Sequence, residues 1–131
     1  MADNTRFIAD VSAWADRTAE QMLRVAKQSL QDTIRDAQTP VAQGGDLPVD
    51  TGYLRNSLIT ETKGGTLEGA DSYVLGLSSL ELGDPFQVAW VADYAIPRHY
   101  TVGAGQGGGM WRDRAAQRWQ QTVQRNASKV K

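Results

Sequence analysis

The stretch Pro48-Val49-Asp50-Thr51-Gly52-Tyr53-Leu54-Arg55-Asn56-Ser57-Leu58 decides how the chain is read. Pro48 fixes its own φ and biases Leu47 towards extended geometry, so a loop leads into the stretch. Asp50 is placed to cap a following turn by accepting from amides two or three residues on. Leu54 and Leu58 stand four apart on one face of a short helical segment, with Arg55 and Asn56 turned to water. From Leu58 the pattern changes. Leu58–Lys63 is β-branched and loosely alternating, a strand that ends at the Gly64-Gly65 turn. The stretch is a joint between a helical part and a sheet.

It also contains Asp50-Thr51-Gly52, the tripeptide that carries the catalytic carboxylate in aspartic proteases. Such an enzyme needs two Asp side chains that share a proton, each in a loop leaving an apolar strand. A chain with one Asp-Thr-Gly reaches that arrangement only as a homodimer. Here Gln43-Gly44-Gly45-Asp46-Leu47-Pro48 precedes the motif, a loop rather than a strand, and an amphipathic turn follows it. The expectation is a structural protein, not an enzyme, with no catalytic, cofactor-binding or metal-binding residues. The homodimeric aspartic protease is the first alternative.

At 131 residues the chain is expected to form a single domain, and 40% hydrophobic residues with four Trp and four Tyr suffice for a modest core. No apolar run approaches the twenty residues a membrane span needs, and the N-terminus lacks the regions of a signal peptide. The absence of Cys excludes a disulfide framework and thiol chemistry, and fits synthesis in a cytoplasm. His99 is the lone His, which argues against a His-based metal site or triad.

Residues 1–39 read as one long helix. Asp3, Asn4 or Thr5 can cap it, and Ile8, Val11, Ala15, Met22 and Val25 form an apolar stripe widened by Phe7, Trp14, Leu23, Leu30 and Ile34. Thr39-Pro40 ends it. Unbroken from about residue 5 to 38 it measures ~50 Å at 1.5 Å per residue, whereas a compact domain of this length is only roughly 36 Å across. The helix therefore kinks, or it projects and its stripe needs a neighbour. Residues 48–100 hold the turn and a small antiparallel sheet, with strands expected at Leu58–Lys63, Ser72–Leu77 and Phe86–Val91. In the last, Phe86, Val88 and Trp90 share one face. Residues 101–109 form a Gly-rich loop with a formal G-x-G-x-x-G at 103, 105 and 108. No βαβ unit surrounds it, Ser128 stands where an acidic residue belongs, and no Gly-Lys-Ser/Thr follows, so it reads as a mobile loop that orders against a partner. Residues 110–131 form a C-terminal helix with Trp111, Ala115, Trp119 and Val123 on one stripe. The fold class is α+β: a long N-terminal helix, a small antiparallel β-sheet and a C-terminal helix.

The net charge of −1 hides a division. Residues 38–109 carry three basic and eight acidic side chains, while 110–131 carry six basic ones against Asp113 alone. One reading is a solvated helix face. The other is that the basic helix of one copy meets an acidic surface on a neighbour, with Trp111, Arg112, Arg114 and Arg118 in the interface alongside Trp14 and Met22. Basic residues interleaved with aromatics also admit a nucleic-acid-binding module on the C-terminal helix, the second alternative, although the overall charge opposes a dedicated DNA binder.

Taken in order, the long helix, Pro-Val-Asp-Thr-Gly-x-Leu-Arg-x-Ser-Leu, the small sheet, Tyr94-Ala95, the loop and the C-terminal helix resemble the neck proteins of tailed bacteriophages, in particular the gene-product-ten-like head–tail joining or tail-completion family. The motif positions are Pro48, Asp50, Thr51, Gly52, Leu54, Leu58, Tyr94 and Ala95. Where that family continues to a Glu-aromatic-Gly triplet, this chain has Arg98-His99-Tyr100. The resemblance implies a structural virion protein made in the host cytoplasm and located at the neck. Its partners would be itself, in a ring that is usually six-fold, the head connector or stopper, and the tail terminator or tail tube. DNA would pass through the lumen without sequence-specific binding, and no membrane is involved. It assigns Asp50, Thr51 and Gly52 to a turn that fixes helix-to-strand geometry, and Leu54 and Leu58 to packing.

Overall fold

A computed structural model describes residues 2–48, 52–103 and 107–129, and the side chains from Thr18 onward. The N-terminal helix α1 runs unbroken over Ala2–Ala37, ~54 Å at the α-helical rise. It ends where the sequence demands: Thr39 and Pro40 follow, and Pro40 is already extended at φ −66°, ψ 155°. A 3-10 turn over Val41–Gln43 and a short bridge between Pro40 and Leu47 return the chain to the motif. There α2 (Tyr53–Asn56) opens on Gly52 at φ 80°, a left-handed conformation that glycine adopts without a Cβ penalty. Strand β1 (Leu58–Thr62) follows directly.

The sheet has three strands in the order β2-β1-β3, all antiparallel, with β2 at Gly65–Glu68 and β3 at Phe86–Trp90. Leu58, Thr60 and Thr62 oppose Trp90, Val88 and Phe86, so these six side chains share a face, as expected for β3. The expected strand at Ser72–Leu77 is instead a helix, α3, over Ser72–Ser78. The reason is spacing: Tyr73, Gly76, Leu77 and Leu80 are buried, three and four apart, which a helix gathers on one side and a strand scatters over two. Gly76 lets α3 lie directly on the sheet, because a Cβ there would stand 2.8 Å from Thr60 Cγ2 and 3.1 Å from Thr62 Cγ2. Thr60 is fully buried yet satisfied by a 2.8 Å hydrogen bond shared with Ser72.

Beyond the sheet, α4 (Ala95–His99) leads to the glycine segment and the C-terminal region, which is two helices, α5 (Trp111–Gln117) and α6 (Trp119–Ser128), separated at Arg118. Its buried positions are Trp111, Ala115, Thr122 and Asn126 rather than a strict four-residue stripe. Each step of four drifts 40° around a helix with 3.6 residues per turn, so Trp119 and Val123 have rotated to the flank.

Two buried clusters result. Ala37, Leu47, Leu54, Ala92, Ala95, Trp111 and Ala115 form one; Ile34, Leu58, Tyr73, Leu77 and Leu80 form the other, and Trp90 packs against both.

Candidate functional site

The two landmarks of the motif lie some forty residues apart in sequence and meet in space. Leu54 and Ala95 are buried in the same cluster, 2% and 5% exposed. Above them the Tyr53 and Tyr94 rings lie 5.9 Å apart on the surface. Pro48 and Leu58 are buried as well, Leu58 beside α3 in the second cluster. Asp50 and Thr51 fall outside the described residues. Gly52 accepts from the Asn56 amide at 2.9 Å, closing the first helical turn after the motif.

A residue the sequence did not single out holds this joint together. Gln38, 2% exposed, donates through Nε2 to the carbonyls of Arg55 and Ala70, both at 3.0 Å, and accepts from Trp90 Nε1 at 2.7 Å. Arg55 Nε donates in return to the Gln38 carbonyl at 3.2 Å. One amide thus ties the end of α1 to α2, to the turn before α3 and to β3. Its only sequence signal is its place between the last helical residue and Thr39-Pro40.

The basic C-terminal helices meet acids of their own chain. Arg114 pairs with Asp46 at 2.6 Å, Arg118 with Asp36 and, at 3.5 Å, with Asp46, and Arg125 with Asp32 at 3.5 Å. Arg114 and Arg118, expected at an interface, thus have ion-pair partners within their own chain. Burial works to raise the Asp32 pKa, but hydrogen bonds from Asn126 and Gln28 and the charges of Arg35 and Arg125 outweigh it and hold the group below its ordinary value. Arg112 bonds Asp113 at 2.9 Å and the Tyr100 hydroxyl at 3.0 Å. Trp111, expected at an interface, is an inner residue at 2% exposure, packed edge-on against Trp90 and His99. Met22 is on the surface, 58% exposed. The side chain of Trp14 lies outside the described residues.

The glycine segment is also partly anchored. The Gly109 amide donates to the Asp46 carbonyl at 2.8 Å and that of Gly103 to Gly108 at 2.9 Å, while the Arg98 guanidinium donates to the carbonyls of Thr101 and Gly107. At Gly108, φ 79°, a Cβ would stand 2.5 Å from the Asp46 carbonyl oxygen. These contacts hold Gly103 and Gly107–Gly109 of the expected loop; 104–106 fall outside the described residues.

His99 is buried, and neither ring nitrogen has a hydrogen-bond partner among the described residues. Burial pushes its pKa down, against the pull of Asp113, whose carboxylate lies 3.9 Å away, and with the push of Arg112. No group of three potential metal ligands occurs among the described residues, and no helix there is long and apolar enough to cross a membrane.

The described surface also carries several apolar features. Along the described side chains of α1, the first buried one is Ser29. Between α1 and α6 runs an open apolar groove of about 440 Å³ lined by Met22, Val25, Ala26, Trp119, Val123 and Ala127, with Thr18 and Gln21 at its edge. On the other side of Val25 a cleft of about 740 Å³ carries Arg24, Arg35, Arg125 and Lys129 around Asp32. Elsewhere α3 exposes Val74 and Leu75, and Tyr53, Tyr94, Ile96, Tyr100 and Val102 form an aromatic-aliphatic rim around α4. Compared with protein-family models, curated proteins and solved structures, the chain matches none.

Proposed function

We propose that the chain is a structural virion protein of the tailed-bacteriophage neck, a ring-forming tail-completion or head–tail joining protein that links the head connector to the tail. The observation that carries this reading is the meeting of its two sequence landmarks: Leu54 and Ala95 share a buried cluster, and the neighbouring Tyr53 and Tyr94 rings lie 5.9 Å apart, tilted by 39°. Segments that resemble one family at two distant places, and that build one joint, behave as a single structural motif. The α+β order agrees with that resemblance. A helix longer than a compact domain of this size, and an open apolar groove along it, suit a protein completed by neighbours.

In this reading each subunit contacts the next head-to-tail, and the ring sits between the connector or stopper and the tail terminator or tube, with DNA in its lumen. Catalysis plays no part. The cations facing α1 are matched by Asp32, Asp36 and Asp46, so weak, sequence-independent contact with passing DNA is the expected limit of its nucleic-acid affinity.

The test is solution mass by light scattering, alone and after mixing with purified tails that lack their completion protein. A discrete multimer, or a monomer that becomes a stoichiometric ring on such tails, is the expected result. A stable dimer that ignores tails would overturn the reading.

A further inference from the structure

We infer that the cleft around Asp32, between α1 and α6, is a phosphate site, and that the phosphates it takes belong to the backbone of a DNA duplex. Its placement rests on the ring reading, in which this is the face each copy turns to the lumen. The cleft, about 740 Å³, is walled by Arg24 and Arg35 on α1 and by Arg125 on α6, with Lys129 just past the end of α6. Four cations there meet one carboxylate. That carboxylate is already committed. Asp32 Oδ1 accepts from Gln28 at 2.8 Å and Arg35 at 2.7 Å, and Oδ2 accepts from Asn126 at 3.1 Å and Arg125 at 3.5 Å. The acid side chain is 10% exposed, against 62% for Arg35 and 57% for Arg125. Solvent therefore meets the cations rather than the acid. Arg24 and Lys129 are exposed and have no ion pair among the described residues. Glu20, one turn before Arg24, lies outside the lining.

The lining selects the ligand. Arginine supplies three of the four cations, and its planar fork suits an oxyanion bidentately. Val25 is the one apolar side chain among the described lining residues. A protein partner needs an apolar centre, whereas a nucleic-acid interface is polar and cationic. The described lining holds no aromatic ring, so there is no platform for stacked bases and the contact is to the backbone, without sequence readout. The scale fits a strand rather than a single ion. Arg24 and Arg35 stand ~16 Å apart along α1 at 1.5 Å per residue, against about 3.4 Å per phosphate along one strand of a duplex. Four cations less one carboxylate leave an excess of three charges, which makes the contact of one subunit weak. In a ring every copy meets the same duplex, and the weak contacts reinforce one another.

The test titrates a fluorescent mixed-sequence DNA duplex with the full chain, by anisotropy over a series of salt concentrations. Arg24→Ala with Lys129→Ala alters two exposed side chains outside the buried clusters. The pair should weaken duplex binding about tenfold or more at low salt and lower the slope of log affinity against log salt by about two, roughly one per phosphate contact. Lys63→Glu, the same change of charge at the β1–β2 turn, should leave the slope unchanged. Polyphosphate should displace the duplex better than polyglutamate of equal charge, and better than inorganic phosphate at equal total phosphate. Inorganic phosphate that matched it would make the ligand a single free ion and overturn the backbone assignment. Polyglutamate that matched it would make the partner an acidic protein and overturn the phosphate assignment. No duplex binding by the native chain, or an equal loss in Lys63→Glu, overturns the cleft and leaves the neck reading intact, which light scattering with completion-deficient tails decides separately. A native chain that never forms a multimer there overturns the neck reading and the placement in the lumen, whatever the duplex titration returns.

Discussion

Gln38 shows how much of this fold rests on one polar side chain. Replacing it with Leu leaves the Arg55 and Ala70 carbonyls and the Trp90 indole N–H without their partner in a site only 2% exposed. Unpaired buried groups cost about 1–3 kcal/mol each, and some relaxation towards water is available, so Gln38→Leu should destabilise by about 2–4 kcal/mol in urea unfolding. A loss under about 0.5 kcal/mol would mean that the amide does not hold the joint. The other residue with a measurable signature is His99. Its folded pKa lies below the ordinary 6.5 because burial disfavours the charged ring. The folded state therefore binds fewer protons than the unfolded chain just below that value. The stability this group contributes is complete above about pH 6.5 and is lost as the pH falls through the folded pKa, with Asp113 at 3.9 Å drawing part of it back. Urea midpoints of the native chain should fall over this window, and His99→Phe should flatten the slope. A slope unchanged in the variant would assign it to other groups.

At the scale of elements, what was legible followed from periodicity. The extent of α1, its end at Thr39-Pro40, β1, β3 and the C-terminal helical region all carry patterns long enough to fix their type. Ser72–Leu77 did not, because Tyr-Val-Leu in six residues suits a buried strand and a helix equally. Only Leu80, beyond the segment, completes the helical spacing. Strand β2 was missed because Gly65–Glu68 contains a single apolar residue, Leu67, and exists through its pairing with β1. The acid–base ladder was half legible: counting gave the sign of each region, but the pairs close over 68 to 93 residues, and no local pattern names such partners. The close approach of α3 to the sheet is equally invisible in sequence and equally testable. Gly76→Ala would force a methyl group to within 2.8 Å of Thr60 Cγ2. The helix gains propensity, up to about 1 kcal/mol, but overpacking costs about 1–3 kcal/mol, so the net should be a loss of about 1–2 kcal/mol and a lower melting temperature. The half-buried Arg114–Asp46 pair, still open to solvent, should matter far less. A double-mutant cycle with Arg114→Gln and Asp46→Asn should return a coupling below about 1 kcal/mol that shrinks with salt.

For the whole molecule the decisive quantity is length. An unbroken α1 of 36 residues exceeds the diameter expected of a compact domain by a third or more. Among the described side chains of α1, the first to pack with a buried cluster is Leu30, and the first buried one is Ser29. The sequence nevertheless keeps Phe7, Ile8, Val11 and Trp14 at helical spacing ahead of that point, where an isolated domain would carry polar residues. If this apolar series serves contacts between copies, folding and assembly should separate on truncation. A chain beginning at Thr18 retains both buried clusters, Gln38 and the α1–α6 ion pairs. It should unfold in urea within about 0.5 kcal/mol of the full chain, the range of changes that touch no core. It should also fail to form the multimer, or to bind completion-deficient tails, at concentrations where the full chain succeeds. Equal loss of stability and assembly would make the first turns of α1 part of the fold itself. Unimpaired assembly would confine the contact between copies to Thr18 and beyond, where the groove with α6 begins.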